Sequence, residues 1–176
     1  MGEIMSLFDI FVQVLGFVAW FIIVLSYYRK NTNKILLVQL LGNLLFCLHY
    51  LLLGAYSGLA ICFLELLRDY SYYKTDWDNY IFAFSIPIYI IGGIFSYRTI
   101  IDLFPIIASL TDGWSLTKKK FIAVLGAIFS YGLWLVYDLT VKSYSGAITD
   151  TILILSNIYI IFTNKDKALK SISNLK

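Results

Sequence analysis

Gly54-Ala55-Tyr56-Ser57-Gly58 and Lys142-Ser143-Tyr144-Ser145-Gly146 are two short links that share Tyr-Ser-Gly, and each opens directly into an apolar run. One apolar segment earlier stands a Lys-bearing polar loop. It is Asn31-Thr32-Asn33-Lys34 in the first half and Leu116-Thr117-Lys118-Lys119-Lys120 in the second. The order helix, basic loop, helix, tight link, helix therefore occurs twice, with one segment left over between the two units. A single connecting helix gives both units the same orientation. The repeat is then a parallel one, its halves related by an axis along the membrane normal.

The runs around these links suit a bilayer better than water. The chain has 176 residues, 60% of them apolar and 14% charged, and a mean hydropathy of +0.78. A soluble domain carries about 25% charged residues, and a small one has much surface to cover. A spanning helix takes about 20 mostly apolar residues. The apolar runs predict helices at 8–28, 35–54, 56–73, 80–97, 101–116, 119–140 and 144–164. The expected fold class is all-α, a single polytopic membrane domain over 1–176 with seven transmembrane helices. Two parallel three-helix bundles, 8–73 and 101–164, flank a linker helix at 80–97, and 165–176 forms a cytoplasmic tail (a 3+1+3 arrangement). Glu3 and Asp9 replace the basic start of a cleaved leader, so the first run is expected to stay as a span.

Lys and Arg favour cytoplasmic loops. With the N-terminus outside, the inner segments hold Arg29, Lys30, Lys34, Arg68, Lys74 and Lys118–Lys120, and then Lys165, Lys167, Lys170 and Lys176. Only Arg98 and Lys142 are left outside. If the segment at 101–116, with its Pro105 and Asp112, failed to cross, the split would become nearly even. The charges thus predict seven crossings, an outside N-terminus and a cytoplasmic C-terminus. Cys47 and Cys62 lie inside apolar runs and indicate neither a disulfide framework nor a metal site.

Three stretches carry a family resemblance: Leu48-His49-Tyr50-Leu51-Leu52-Leu53-Gly54, Leu103-Phe104-Pro105-Ile106-Ile107, and Trp134-Leu135-Val136-Tyr137 followed by Ser145-Gly146, Asp150 and Ser156-Asn157. Over about residues 10–165 the chain resembles the YgjV family of bacterial inner-membrane proteins. The 3+1+3 order looks like the SWEET, SemiSWEET and PQ-loop superfamily of small-solute carriers. The resemblance implies an inner-membrane, SWEET-like carrier that works by alternating access. Its partners would be membrane lipid and a small polar solute, with a homo-oligomer open and no cofactor. In the sugar carriers an asparagine on the third helix of each half contacts substrate. Asn157 stands in a similar position, and Glu65 and Asp69 are the nearest polar substitutes in the first half. The chain departs from those carriers in its prolines: only Pro105 lies in a core helix, Pro87 lies in the connector, and there is no Pro-Gln pair.

A charged side chain at mid-membrane costs about 2.5–3.5 kcal/mol on insertion scales. The candidate solute-binding residues are therefore Asn157, Asp150, Glu65, Arg68 and His49. Glu65 and Arg68 are helix neighbours, and Asp150 and Asn157 share a face of one helix. They either line one central polar cavity or neutralise and bond locally. Aligning the two links sets Cys62 opposite Asp150 and Asp69 opposite Asn157. His49, the one histidine, has no second ligand at helical spacing and is not a metal site. It serves either an interhelical hydrogen bond or a pH-sensing or solute-binding role. Gln39 and Asn43 suit helix–helix bonding, and Gly42 and Gly126 suit close helix approach. Tyr27, Tyr28, Tyr72, Tyr73 and Trp77 fit an inner aromatic belt.

No phosphate-binding glycine loop, nucleophile elbow or His-Glu-x-x-His is present, so an enzyme is not expected. The run Lys118–Lys120 is too small for nucleic acid. The expected role is a carrier of a small polar solute. The alternative is a non-transporting membrane binding or assembly module of the same fold.

Overall fold

A chain that is apolar over most of its length must satisfy its backbone polar groups internally, and helices do so within each segment. The computed structural model describes residues 6–26, 32–74, 78–118 and 120–163. Among them are seven α-helices: α1 Leu7–Ser26, α2 Thr32–Leu53, α3 Tyr56–Lys74, α4 Asp78–Ser96, α5 Leu103–Leu116, α6 Lys120–Thr140 and α7 Tyr144–Thr163. A 3-10 turn, Ile100–Asp102, precedes α5. It takes up the first residues assigned to the fifth helix from sequence. Pro105 then sits in the first turn of α5, where its missing N–H is not needed. Arg29, Lys30, Lys119, the four lysines of the tail, Tyr27, Tyr28 and Trp77 lie outside the described residues, as do the side chains of Lys34, Gln39, Asp69, Tyr72, Tyr73 and Lys120.

Among the described residues, three helices are long and apolar enough to cross a membrane: Leu7–Leu25, Phe121–Thr140 and Tyr144–Thr163. The apolar parts of α2 and α4, Leu40–Leu53 and Tyr80–Ser96, are shorter. The polar residues Glu65, Arg68, Asp69 and Lys74 interrupt α3. Helix α5 has 14 residues, about 21 Å at 1.5 Å per residue.

Each helix packs on its neighbour in the chain, and α1 also meets α7, which closes the series. Helix α2 lies between α1 and α3, and α6 lies between α5 and α7. Close approach uses small residues. A Cβ on Gly42 would stand 3.0 Å from the Ala19 carbonyl of α1, and one on Gly126 would stand 2.2 Å from Ser115 of α5. The outer faces carry large apolar side chains, such as Phe11 and Phe21 on α1, Phe84 and Phe95 on α4 and Phe162 on α7. The interior is more polar than a soluble core, with His49, Ser57, Arg68, Ser109, Asp138, Ser143, Ser145 and Asp150 all buried.

The two links have the same backbone. Gly54 has φ +68° and Lys142 has φ +60°. The Ala55 N–H donates to the Tyr50 carbonyl at 3.0 Å, and the Ser143 N–H donates to that of Asp138 at 2.8 Å. Each helix stops in a left-handed residue, and the next starts two residues later. The correspondence holds at one shift of 88 residues, the separation of Tyr50 from Asp138.

Candidate functional site

Tyr50 near the end of α2 and Asp138 near the end of α6 occupy equivalent places in the two halves, and they meet. The Tyr50 hydroxyl donates to Asp138 Oδ1 at 2.9 Å, with both residues buried. The residues beside them cross over. Tyr137 of α6 reaches the first link, where its hydroxyl accepts from the Gly58 N–H at 2.8 Å and lies 2.8 Å from Ser57 Oγ. His49, which holds the corresponding place on α2, reaches the second link. Its Nε2 is 2.9 Å from Ser143 Oγ and 3.4 Å from Ser145 Oγ. The residues beside Tyr50 and Asp138 thus each bond the link that follows the other helix.

A second tier covers the links in the same crossed manner. Gln13 of α1 serves the second link, donating to the Lys142 carbonyl at 2.8 Å and accepting from the Ser145 N–H at 3.0 Å. Asp102, just before α5, serves the first link by accepting from Ser57 Oγ. Burial raises the pKa of Asp102. The hydrogen bonds from Ser57, from the N–H groups of Thr99 and Arg98 and from the Thr99 hydroxyl outweigh that effect, and the carboxyl sits below its ordinary range. Glycines make room: a Cβ on Gly58 would stand 2.7 Å from the Tyr137 ring and one on Gly146 1.8 Å from Asp138 Oδ2.

His49 is fully buried. Its Nδ1 lies 2.8 Å from the Val12 carbonyl, which can only accept, so Nδ1 carries the hydrogen. Its bonds tie α2 to α1 and to the second link. The Ser143 hydroxyl stands between His49 Nε2 and the Asp138 carboxylate. Trp134 stacks on Tyr50 with ring centroids 5.8 Å apart, and Phe46, its counterpart in the first half, stacks at 6.4 Å.

Asp150 lies about one helical turn after Gly146 on α7 and is 8% exposed. Its Oδ2 has no hydrogen-bond partner among the described residues. The carboxylates of Asp138 on α6 and Glu65 on α3 act on it electrostatically. Tyr50 in turn feels Asp138, Asp150 and Cys62, which places all four around one centre. Cys62 Sγ is 3.4 Å from Cys47 Sγ, and both are buried thiols outside any disulfide. Glu65 accepts from Ser109 Oγ of α5.

The remaining candidates stand apart from that centre. Arg68 reaches across to Asp112 of α5, with Nη2 3.5 Å from Oδ2, a partner that spacing on α3 does not reveal. It borders a cavity of about 290 Å³ between α3 and α4, with Tyr80, Phe84 and Tyr89. Asn157 is half-buried, and its Nδ2 donates to the Leu153 carbonyl of its own helix at 2.8 Å. Among the described residues, no three His, Cys, Asp or Glu side chains cluster as metal ligands.

A buried polar layer of this kind, wrapped in apolar helix faces, belongs to a membrane protein, and comparison with known families agrees. The chain belongs to the YgjV family of bacterial inner membrane proteins. The family model, Imp-YgjV, described as a bacterial inner membrane protein, matches residues 10–167. No curated protein and no solved structure matches the chain. In this YgjV-family protein, sequence reasoning from mid-span charges reached Glu65, Arg68 and Asp150 but passed over Asp138, Tyr50 and Tyr137. Asp138 sits close to a helix end, where a carboxylate reads as interfacial. The available signal was the alignment of the links, which pairs Tyr50 with Asp138 and His49 with Tyr137.

Proposed function

We propose that this YgjV-family protein crosses the inner membrane seven times, with its N-terminus outside and its C-terminus cytoplasmic, and carries a small polar solute by rocking one half against the other. The observation behind this reading is the crossed layer. Its bonds run between the halves, Tyr50 to Asp138, Tyr137 to the first link and His49 to the second. Bonds inside one half would stiffen it; bonds between halves hold one end of a bundle shut and break together when the halves part. Beneath the layer lie Asp150 and Glu65, with Arg68 and Asn157 further along the same helices towards the cytoplasm. On this reading the two bundles are 8–73 and 101–164 about the linker, and the solute leaves chemically unchanged. With no nucleotide-binding motif in the sequence, movement is facilitated or driven by an ion gradient.

The test starts from a thermal-shift screen of the purified protein against sugars, nucleosides, vitamins and amino acids. Flux of the stabilising solutes is then measured in proteoliposomes. The carrier reading expects flux that falls about tenfold, or about 1.4 kcal/mol, in Glu65→Gln or Asn157→Ala. Flux untouched by both substitutions would remove these residues from the path. Solutes that stabilise the protein yet never cross would favour a binding or assembly module.

A further inference from the structure

We infer that Asp150 carries a proton in this closed arrangement and gives it up when the crossed layer opens, so that movement of the halves is linked to protons. The inference rests on the carrier reading for the movement and on geometry for the proton. Asp150 is 8% exposed, and its Oδ2 has no hydrogen-bond partner among the described residues. An ionised carboxylate left in that state loses hydration and gains nothing in return. Two further carboxylates face it from other helices, Asp138 on α6 and Glu65 on α3, and like charges cannot all ionise in a dry site.

The hydrogen bonds decide which of the three holds the proton. Asp138 accepts from Tyr50 and has the Ser143 hydroxyl beside it, and Glu65 accepts from Ser109. Both are supported as anions. Asp150 is the carboxyl without such support. The other titratable groups at this centre are neutral donors or thiols: Tyr50 from α2 and Cys62 from α3, with His49 of α2 and Tyr137 of α6 against the Tyr50 ring. Of the cations on the elements packed around it, Arg68 stands apart from that centre and pairs with Asp112, and Lys142 is exposed to solvent. Among the described residues α1 contributes only Asp9, at its outer end. The step is simple in balance: the neutral acid becomes carboxylate plus a proton, and the proton passes to water admitted as the layer parts. By linkage, acid then favours the closed state and alkali the open one.

Two measurements on the protein in lipid vesicles test this. The first is the infrared carbonyl band of a protonated carboxyl at neutral pH. It is expected in the wild type and in Asp138→Asn, to be lost in Asp150→Asn and to shift in Asp150→Glu, which keeps the acid if Asn perturbs folding. The second is the rate at which an impermeant thiol reagent added outside labels Cys62, in a Cys47→Ser background. Divided by the reagent's rate with a free thiol at the same pH, which removes the pH dependence of thiolate formation, that rate should rise with pH, by up to about tenfold per unit for one proton, and become insensitive to pH in Asp150→Asn. A wild type without the band, or a band that survives Asp150→Asn unchanged, overturns the proton. A band with corrected Cys62 labelling indifferent to pH overturns the link to movement. Solute flux with no band leaves the carrier standing and the proton inference fallen, whereas the band without flux for any stabilising solute does the reverse.

Discussion

Tyr50 and Asp138 form one hydrogen bond in a site closed to solvent, and its removal should be felt. A hydrogen bond to a charged group contributes about 1.5–3 kcal/mol, and a buried group left without its partner loses more than the mean. Tyr50→Phe keeps the ring against Trp134, so its loss reports the hydroxyl alone. We expect it to lower stability by about 1.5–3 kcal/mol, read as thermal unfolding in detergent. The glycines give a sharper contrast. A methyl on Gly146 would fall 1.8 Å from Asp138 Oδ2 and 2.6 Å from Ser143 Oγ, whereas one on Gly132 meets nothing within 4 Å. Gly146→Ala should destabilise by about 1–3 kcal/mol through overpacking. Gly132→Ala should stabilise α6 by about 0.5–1 kcal/mol in the same assay. Little of this was legible residue by residue. A mid-span carboxylate announces itself by cost, which picked out Asp150 and Glu65. The worth of Asp138 depends on a tyrosine 88 residues away.

The links are elements in which one conformation is filled by two residue types. Gly54 and Lys142 both take positive φ, near +68° and +60°, where an L side chain costs roughly 1–2 kcal/mol. Lys142→Gly should therefore stabilise the protein by about 1 kcal/mol, and Gly54→Ala should destabilise it by a similar amount although no neighbour obstructs the methyl. Equilibrium unfolding of the two variants in one detergent checks both signs. The 3-10 turn adds a pH dependence. The folded carboxyl of Asp102 lies below its ordinary range. Its contribution is present above the unfolded pKa of about 3.9 and is lost as pH falls through the folded value. The wild type should thus exceed Asp102→Asn in unfolding temperature at neutral pH, and the two should converge in strong acid. Helix ends were readable because apolar runs stop at polar loops, and observed bounds fall within about three residues of the expected ones. The turn at Ile100–Asp102 was not, because Ile-Ile continues the apolar run and only the bonds of Asp102 tighten it.

At the scale of the molecule, the repeat of Tyr-Ser-Gly links predicts two like halves; the turn geometry of the two links and the places of His49 and Tyr137 share that shift, whereas Gln13 and Asp102 do not. The sequence could not say which side chains would cross, since exchange between halves depends on how the helices are brought together. Rocking of a carrier requires the linked ends of the halves to separate. Tyr56 and Tyr144, the first residues of α3 and α7, hold equivalent exposed places on the two links. Spin labels at these positions, in protein reconstituted into bilayers, report the separation directly. We expect a short-distance population, as in the closed layer, and a longer one that grows in Tyr50→Phe and Asp138→Asn, where the bond across the halves is weakened. A single short distance, indifferent to both substitutions, would contradict it.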